Sequence, residues 1–135
     1  MDPNDLIKGV YSKFTDSALQ TALGGTKLYY KNVPQGTALP YADVDIATID
    51  YDENFNEEGD VCTLIFRVFD DDRSDCGDLC DTLTQLFDNC TLTVTGWRHI
   101  YFSREFVQPI DDFENMQAPI FGWVIQYAVY TEQNK

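Results

Sequence analysis

The chain has 135 residues, with 23 acidic against 9 basic side chains and a formal net charge of −14. A chain of this length can bury a core of its own, so we expect one domain over residues 1–135. The excess of negative charge argues against sequence-specific nucleic acid binding and against adsorption to anionic membranes, because both depend on a basic surface.

The N-terminal residues show neither the basic start nor the apolar run of a signal peptide. No segment approaches the roughly 20 consecutive apolar residues of a membrane span. We therefore expect a protein that is made and kept in the cytoplasm, where cysteines stay reduced. The four cysteines are Cys62, Cys76, Cys80 and Cys90.

The first 51 residues predict a helix followed by two strands. Apolar residues at three- and four-residue steps predict one helix over 2–23. A short strand is predicted over 27–31, and an alternating strand over 41–51. Two prolines and a glycine make the intervening segment 32–40 a loop.

The middle of the chain predicts a strand, a helix and a second strand. Residues 60–70 alternate, and the apolar face of this strand carries Cys62, Leu64, Phe66 and Val68. Helical spacing then predicts a helix over 76–87, with Ser74 or Asp75 as its N-cap. Residues 91–95 alternate again and predict a short strand.

Two long strands complete the chain. The first is predicted over 97–108, stopped by Pro109, with Ile100, Phe102 and Phe106 on one face. The second is predicted over 120–131 and has the clearest alternation in the sequence. One acidic loop, 52–59, joins the strands over 41–51 and 60–70, and a second, 111–117, separates the two C-terminal strands; loops of this length are often functional.

The element order α-β-β-β-α-β-β-β predicts an α+β fold: a largely antiparallel, possibly mixed sheet with two helices on one face. The opposite face would remain half apolar, which is unusual for a monomer. Either the sheet curls into a partial barrel or another subunit covers it. The residues predicted on this second face are Val61, Ile65, Phe69, Trp97, Tyr101, Val107, Ile120, Val124, Ala128 and Tyr130.

Motifs for metal binding or catalysis are incomplete. Cys76 and Cys80 lie one helical turn apart, but His99 is the only histidine, so buried thiols are the better interpretation than a zinc site. The segment 70–77 lacks the glycine and glutamate positions of a calcium-binding EF-hand loop. We therefore expect no cofactor and no enzymatic activity. An alternative is a small-molecule site lined by Tyr29, Tyr30, Trp97 and Tyr101.

Several short segments together resemble the tail-terminator, or tail-completion, proteins of long-tailed bacteriophages. The resemblance covers nearly the whole chain as a pattern of elements. The segments that carry it are Leu23-Gly24-Gly25, 34–41, 62–70, 88–96, Phe102-Ser103-Arg104 and 123–127.

The resemblance implies a hexameric ring in the virion tail or neck, without enzymatic activity. Such a ring caps the tail tube, stops its polymerisation and contacts the head connector. A neck, head-completion or tail-tube protein is the alternative. The strong negative charge suits a channel through which DNA slides.

Within this interpretation, two groups of residues are candidates for protein contacts. The candidates for the contact between subunits are Ile65, Phe69, Val124 and Tyr130. The candidates for docking on the tube or the connector lie in the two acidic loops and are Phe55, Glu57, Glu58, Asp111, Asp112, Phe113 and Met116.

Overall fold

A computed structural model describes residues 3–51, 59–92, 94, 96–112 and 120–133. The helices are α1 (Pro3–Phe14), α2 (Ala18–Leu23) and α3 (Arg73–Phe87). The strands are β1 (Leu28–Tyr30), β2 (Tyr41–Tyr51), β3 (Gly59–Asp70), β4 (Trp97–Asp112) and β5 (Ile120–Gln133).

The five strands form one sheet in the order β1-β2-β3-β5-β4. β1 pairs parallel with β2, and the other neighbours are antiparallel. The helices cover one face, so the predicted α+β fold with a mixed, mostly antiparallel sheet is confirmed. None of the described helices is long and apolar enough to cross a membrane.

The core between helices and sheet is aromatic at its centre. The Phe87 ring of α3 stacks on Phe66 of β3 at 4.7 Å and on Phe102 of β4 at 5.8 Å between centroids. Tyr127 of β5 packs edge-on against Phe66, and its hydroxyl donates a 2.7 Å hydrogen bond to Asp88 Oδ1. Because Asp88 caps the C-terminus of α3, this bond fixes the end of the helix against the sheet.

The single helix predicted over 2–23 is wrong in one respect, since it breaks between Phe14 and Ala18. Asp16 adopts a left-handed backbone with φ 62°, and Ser17 then caps α2 by accepting a hydrogen bond from the Gln20 N–H. Short polar side chains compete with helical hydrogen bonds in this way. The break turns Leu19 into the core and leaves Ala18 exposed.

The start of α3 also differs from the prediction. The helix begins at Arg73, and its N-cap is Asp72, whose carboxylate accepts a 3.0 Å hydrogen bond from the Asp75 N–H. Ser74 and Asp75 lie inside the first turn. The predicted end at Phe87 is confirmed.

Among the described residues 91, 92 and 94 of the strand predicted over 91–95, the structure shows two isolated bridges, from Thr91 to Tyr101 and from Val94 to Trp97. Leu92 and Val94 turn their side chains into the core instead. α1 approaches this segment closely at Gly9, where a Cβ would lie 2.9 Å from Val94 Cγ2. In this segment, packing of the Leu92 and Val94 side chains under α1 therefore replaces regular strand pairing with β4.

Two irregularities in β4 change the face from which its side chains project, so some of the predicted faces are wrong. Register shifts lie between Trp97 and His99 and between Arg104 and Phe106. A β-bulge moves every later side chain to the opposite face. Trp97 and Val107 therefore pack on the helix side, whereas Phe106 is turned away from the core.

Pro109 does not stop β4, as the sequence had suggested, because the strand continues to Asp112. Pro109 pairs with Trp123, and β4 lies at the edge of the sheet. Proline is tolerated in an edge strand, where its missing N–H can face outward.

Candidate functional site

The sheet has a second face, opposite α1, α2 and α3, which we call the open face. No described helix packs on it. Alternate residues of β2, β3, β5 and β4 project there and form rows across the sheet. From one end to the other, the rows are Tyr41–Phe69–Gly122–Ile110, Asp43–Arg67–Val124–Gln108, Asp45–Ile65–Gln126–Phe106, Thr48–Thr63–Ala128–Ser103 and Val61–Tyr130–Tyr101.

All four predicted contact residues lie on the open face. Near one end, Ile65 and Phe69 lie on either side of Arg67 on β3, and Val124 of β5 pairs with Arg67; all three apolar residues are half-buried. Tyr130 lies near the other end, beside Val61, and 40% of its surface is exposed. The structure therefore places all four candidates on one surface, with Tyr130 about 20 Å from Val124 along β5.

Phe69 is held in place by its neighbours on the open face. Its ring lies 5.4 Å from the Tyr41 ring between centroids. It also covers Gly122, where a Cβ would lie 2.9 Å from Phe69 Cδ1 and 3.2 Å from the Val68 carbonyl oxygen. Gly122 thus leaves room for an aromatic ring to lie flat on the sheet.

We expect Gly122→Ala to destabilise the fold by about 1–3 kcal/mol, the usual cost of forcing a packed side chain out of position. The new methyl group must displace the Phe69 ring or move the strand. Chemical denaturation followed by circular dichroism measures the change. Gly77→Ala is the matched control, because a Cβ at Gly77 meets no atom within 4 Å. Equal stability of Gly122→Ala and wild type would contradict the described packing.

Charged side chains occupy the β2 side of the open face. Arg67 Nε donates a 2.9 Å hydrogen bond to Asp43 Oδ1, and Asp43 is only 5% exposed. Burial raises the pKa of Asp43, while the Arg67 guanidinium opposes that rise. Asp45 Oδ1 is buried and has no hydrogen-bond partner among the described residues. Polar side chains also lie on the other strands of this face, at Thr63, Gln126 and Gln108, so the open face is mixed in character.

Only three large apolar side chains in the described part of the chain are classed as exposed. They are Ile49 at 37%, Tyr130 at 40% and Phe106 at 41%. Ile49 lies on β2 and Phe106 on β4, at opposite sides of the sheet, whereas Tyr130 lies between them on β5. Sequence alternation missed Phe106, which the bulge turns outward; Pro109 nearby was the available sign of an irregular edge strand.

The predicted docking residues lie mostly outside the described residues. This holds for Phe55, Glu57 and Glu58 in segment 52–58 and for Phe113 and Met116 in segment 113–119. Asp111 and Asp112 were predicted in a loop, but they belong to β4. They pair with Phe121 and Ile120. The correction follows from the continuation of β4 past Pro109.

The two explanations for the half-apolar face can now be compared. In a partial barrel, the edge strands β1 and β4 would approach and pair. Within the described residues they occupy opposite ends of the sheet and do not pair. The described sheet is therefore not a closed barrel, and cover of the open face by another molecule stays a prediction.

The aromatic residues of the alternative ligand site do not form one pocket. Tyr29 and Tyr30 lie on β1, and Trp97 and Tyr101 lie on β4 at the opposite side of the sheet. A cavity of about 410 Å³ lies elsewhere, between α2, α3 and the loop before β2. Its lining includes Ala22, Leu39, Pro40, Asp70, Asp71, Asp75, Asp78, Leu79 and Thr82.

All four cysteines are buried. Burial raises the pKa of Cys76, Cys80 and Cys90 to about 11 each. Thiols with raised pKa are poor nucleophiles and poor metal ligands at neutral pH. In the described part of the chain, no three His, Cys, Asp or Glu side chains gather closely enough to hold a metal ion.

These thiols predict a loss of stability at alkaline pH. Their pKa is about 11 when folded and 9.0 ordinarily. The unfolded chain therefore loses these protons first as the pH rises. Their contribution to the free energy of unfolding is present below pH 9 and is lost between pH 9 and 11. Denaturation midpoints at pH 8, 9 and 10 measure this loss of stability. In Cys80→Ala the midpoint should fall less steeply with pH than in wild type. An equal fall in both proteins would contradict the prediction.

Comparison with known proteins finds likeness in structure but not in sequence families. A solved structure of the virion of a native gene transfer agent (GTA) particle contains a chain that matches with a TM-score of 0.72 and 18% identity, over 93% of this chain and 92% of that one. A second solved chain matches with a TM-score of 0.56 and 16% identity, over 96% of both chains. No family model matches, and neither does any curated protein. The likeness therefore concerns the fold.

Proposed function

We propose that this chain is a structural protein of a virion and, more specifically, a tail terminator. It would form a ring at the head-proximal end of the tail tube, stop polymerisation of the tube and join the tail to the head connector. The observation that carries the proposal is the uncovered, half-apolar open face of a fold shared nearly end to end with a chain of a GTA virion.

The size of the open face supports self-association. Four or five strands spaced about 4.8 Å apart, over about ten residues each, present roughly 800 Å². That is the area each partner contributes to a standard protein–protein interface. We therefore assign it to contact with protein, and the six-fold ring follows from the bacteriophage resemblance.

The charge distribution supports a role beside DNA. The solvent side of α3 carries a row of exposed carboxylates. Negative surfaces repel the phosphate backbone, so DNA can pass a ring of such subunits without adhering. The exposed acidic residues on and before α3 are Asp71, Asp72, Asp75, Asp78 and Asp81.

The proposal includes no enzymatic role, because of where the reactive side chains lie. The thiols lie in the core with raised pKa values, and the aromatic residues of the ligand-site alternative are divided between two edge strands. The chain would act by binding itself, the tail tube protein and the connector. Its place is then the tail or neck of the virion, after synthesis in the host cytoplasm.

The test is to add the purified protein to growing tail tubes assembled from a purified tail tube protein. A terminator should bind one tube end, visible by electron microscopy, and fix the tube length. Tubes that continue to grow while the protein binds a connector would instead indicate a neck or head-completion protein. Incorporation along the tube would indicate a tube subunit. A monomer that binds neither would contradict a virion structural role.

A further inference from the structure

The cavity of about 410 Å³ between α2, α3 and the loop before β2 has a lining of two kinds, and we call it the acidic cavity. One part of the lining is apolar and comes from Ala22, Leu39, Pro40 and Leu79; the other part consists of the carboxylates of Asp70, Asp71, Asp75 and Asp78. We propose that the acidic cavity receives an arginine or lysine side chain of a partner protein in the virion. The inference rests on the proposed function for the class of partner and adds the chemistry of that contact.

The local structure brings the four carboxylates together. Asp70 ends β3, Asp71 follows it, and α3 begins at Arg73. On α3, the lining residues 75, 78, 79 and 82 lie three or four positions apart, so they share one side of the helix. Asp72 and Asp81 do not belong to the lining. A cation in the acidic cavity would therefore leave part of the exposed carboxylate row in solvent.

Asp70 is the buried member of this group. Only 7% of its surface is exposed, and Oδ1 accepts a 2.7 Å hydrogen bond from the Asp71 N–H. No donor among the described residues reaches Oδ2, and the side chain of Asp71 is another carboxylate. Burial raises the pKa of Asp70, and the Asp71 and Asp75 carboxylates add to the rise, while the Asp71 N–H opposes it. A buried carboxylate without a positive partner is costly, so this position favours a cation.

The described part of the chain does not supply that cation. None of its Lys or Arg side chains forms an ion pair with the four carboxylates of the lining. Arg73 is the nearest in sequence, but its guanidinium carbon lies 4.8 Å from the centre of the Phe121 ring. Asp71, Asp75 and Asp78 are exposed, so a cation from outside the chain can reach the acidic cavity.

The lining also indicates which kind of cation fits. Metal ions need several converging ligands, and no such group of three occurs among the described residues. Arginine and lysine combine an aliphatic stem with a charged end, which matches a lining that is partly apolar and partly acidic. The volume lies in the range of sites that enclose a small ligand. Nucleic acid is repelled by the same carboxylates. A protein side chain therefore fits better than a metal ion or DNA.

Binding of a short peptide to the full chain tests the inference. The probe is acetyl-Gly-Arg-Gly-amide, and its control carries citrulline, which has the shape of arginine without the charge. Methyl NMR of leucine-labelled protein should show shifts at Leu39 and Leu79 with the arginine peptide only, while Leu64 in the core stays unchanged. Propylguanidine, which has the charge and the stem without the peptide, should bind more weakly.

Matched substitutions separate the acidic cavity from general attraction to an acidic chain. Asp70→Asn should weaken binding by about tenfold or more, as expected when one partner of a buried charge pair is removed. The amide keeps an oxygen for the Asp71 N–H and ends the repulsion, so the denaturation midpoint should not fall. Asp78→Asn repeats the test at an exposed position of the lining. Asp81→Asn removes the same charge outside the lining and should change binding by less than about twofold, since solvent screens exposed charges.

The outcomes separate this inference from the proposed function. Equal weakening by Asp70→Asn and Asp81→Asn would overturn it, and so would equal binding of the citrulline peptide. Equal affinity for propylguanidine and the arginine peptide would assign the acidic cavity to free organic cations and overturn the protein contact. None of these measurements depends on a ring or a tail tube, so their failure would leave the proposed function standing. A chain that binds the peptide but neither tube nor connector would overturn the proposed function alone.

Discussion

Replacing Tyr130 with aspartate should convert the assembled protein into monomers without unfolding the subunit. Tyr130 lies on the open face, 40% exposed, beside Val61 of β3 and Tyr101 of β4. In the free subunit the new carboxylate would remain in water and cost little. In an assembly that covers the open face it would be buried without a partner, at a cost of several kcal/mol per contact.

The measurement is the molar mass by light scattering at matched concentrations, with circular dichroism and thermal unfolding as checks on the fold. We expect a loss of association by about a hundredfold or more, because an unpaired carboxylate would be buried in the contact. Tyr130→Lys should also prevent assembly, although it adds a positive charge to an acidic protein. The two variants together therefore distinguish loss of the apolar contact from repulsion between acidic subunits. Val124→Asp extends the test to the other end of the open face.

Thr21→Asp is the matched control, because Thr21 is exposed on α2 and the substitution adds the same charge on the helix side of the sheet. It should assemble as wild type. Normal assembly of Tyr130→Asp would show that the open face is not the contact between subunits.

Phe87→Ala should produce the largest loss of stability among single substitutions in α3. The ring is fully buried and stacks between Phe66 and Phe102, which belong to different strands. Removing it leaves a cavity at the point where α3, β3 and β4 meet. Truncations of this kind cost about 3–5 kcal/mol. Urea denaturation followed by tryptophan fluorescence measures the change.

Phe106→Ala provides the comparison for Phe87→Ala, since it removes the same ring from an exposed position on β4. Its free energy of unfolding should lie within about 0.5 kcal/mol of wild type, whereas its association should weaken. Equal destabilisation by both substitutions would contradict the outward orientation of Phe106 that the bulge before it produces.

The sequence predicted the inner strands well, because their residues alternate between apolar side chains that fill the core and more polar side chains on the open face. β2 was predicted with its observed bounds, and β3 and β5 within two residues of theirs. Alternation also assigned Ile65, Phe69, Val124 and Tyr130 to one face without knowledge of the strand order. The face of a residue follows from its position along a regular strand alone.

The edge strand and the helix break escaped prediction for physical reasons. A bulge inserts one residue, and a single sequence carries little sign of where the ladder absorbs it. Trp97, Phe106 and Val107 were therefore assigned to the wrong faces. At Asp16, the chain can either continue the first helix or break and begin a new helix capped by Ser17. Which of the two forms depends on whether Leu19 can reach the core. Tertiary packing decides both cases.

The mass of the purified wild-type protein in solution, measured by native mass spectrometry over a range of concentrations and with tail tubes present, tests the central claim most directly. The account predicts a closed ring, about 93 kDa for six copies of the 15.5 kDa chain. A protein that stays monomeric at every concentration and in the presence of tubes would contradict it, because the open face would then be uncovered in the working molecule.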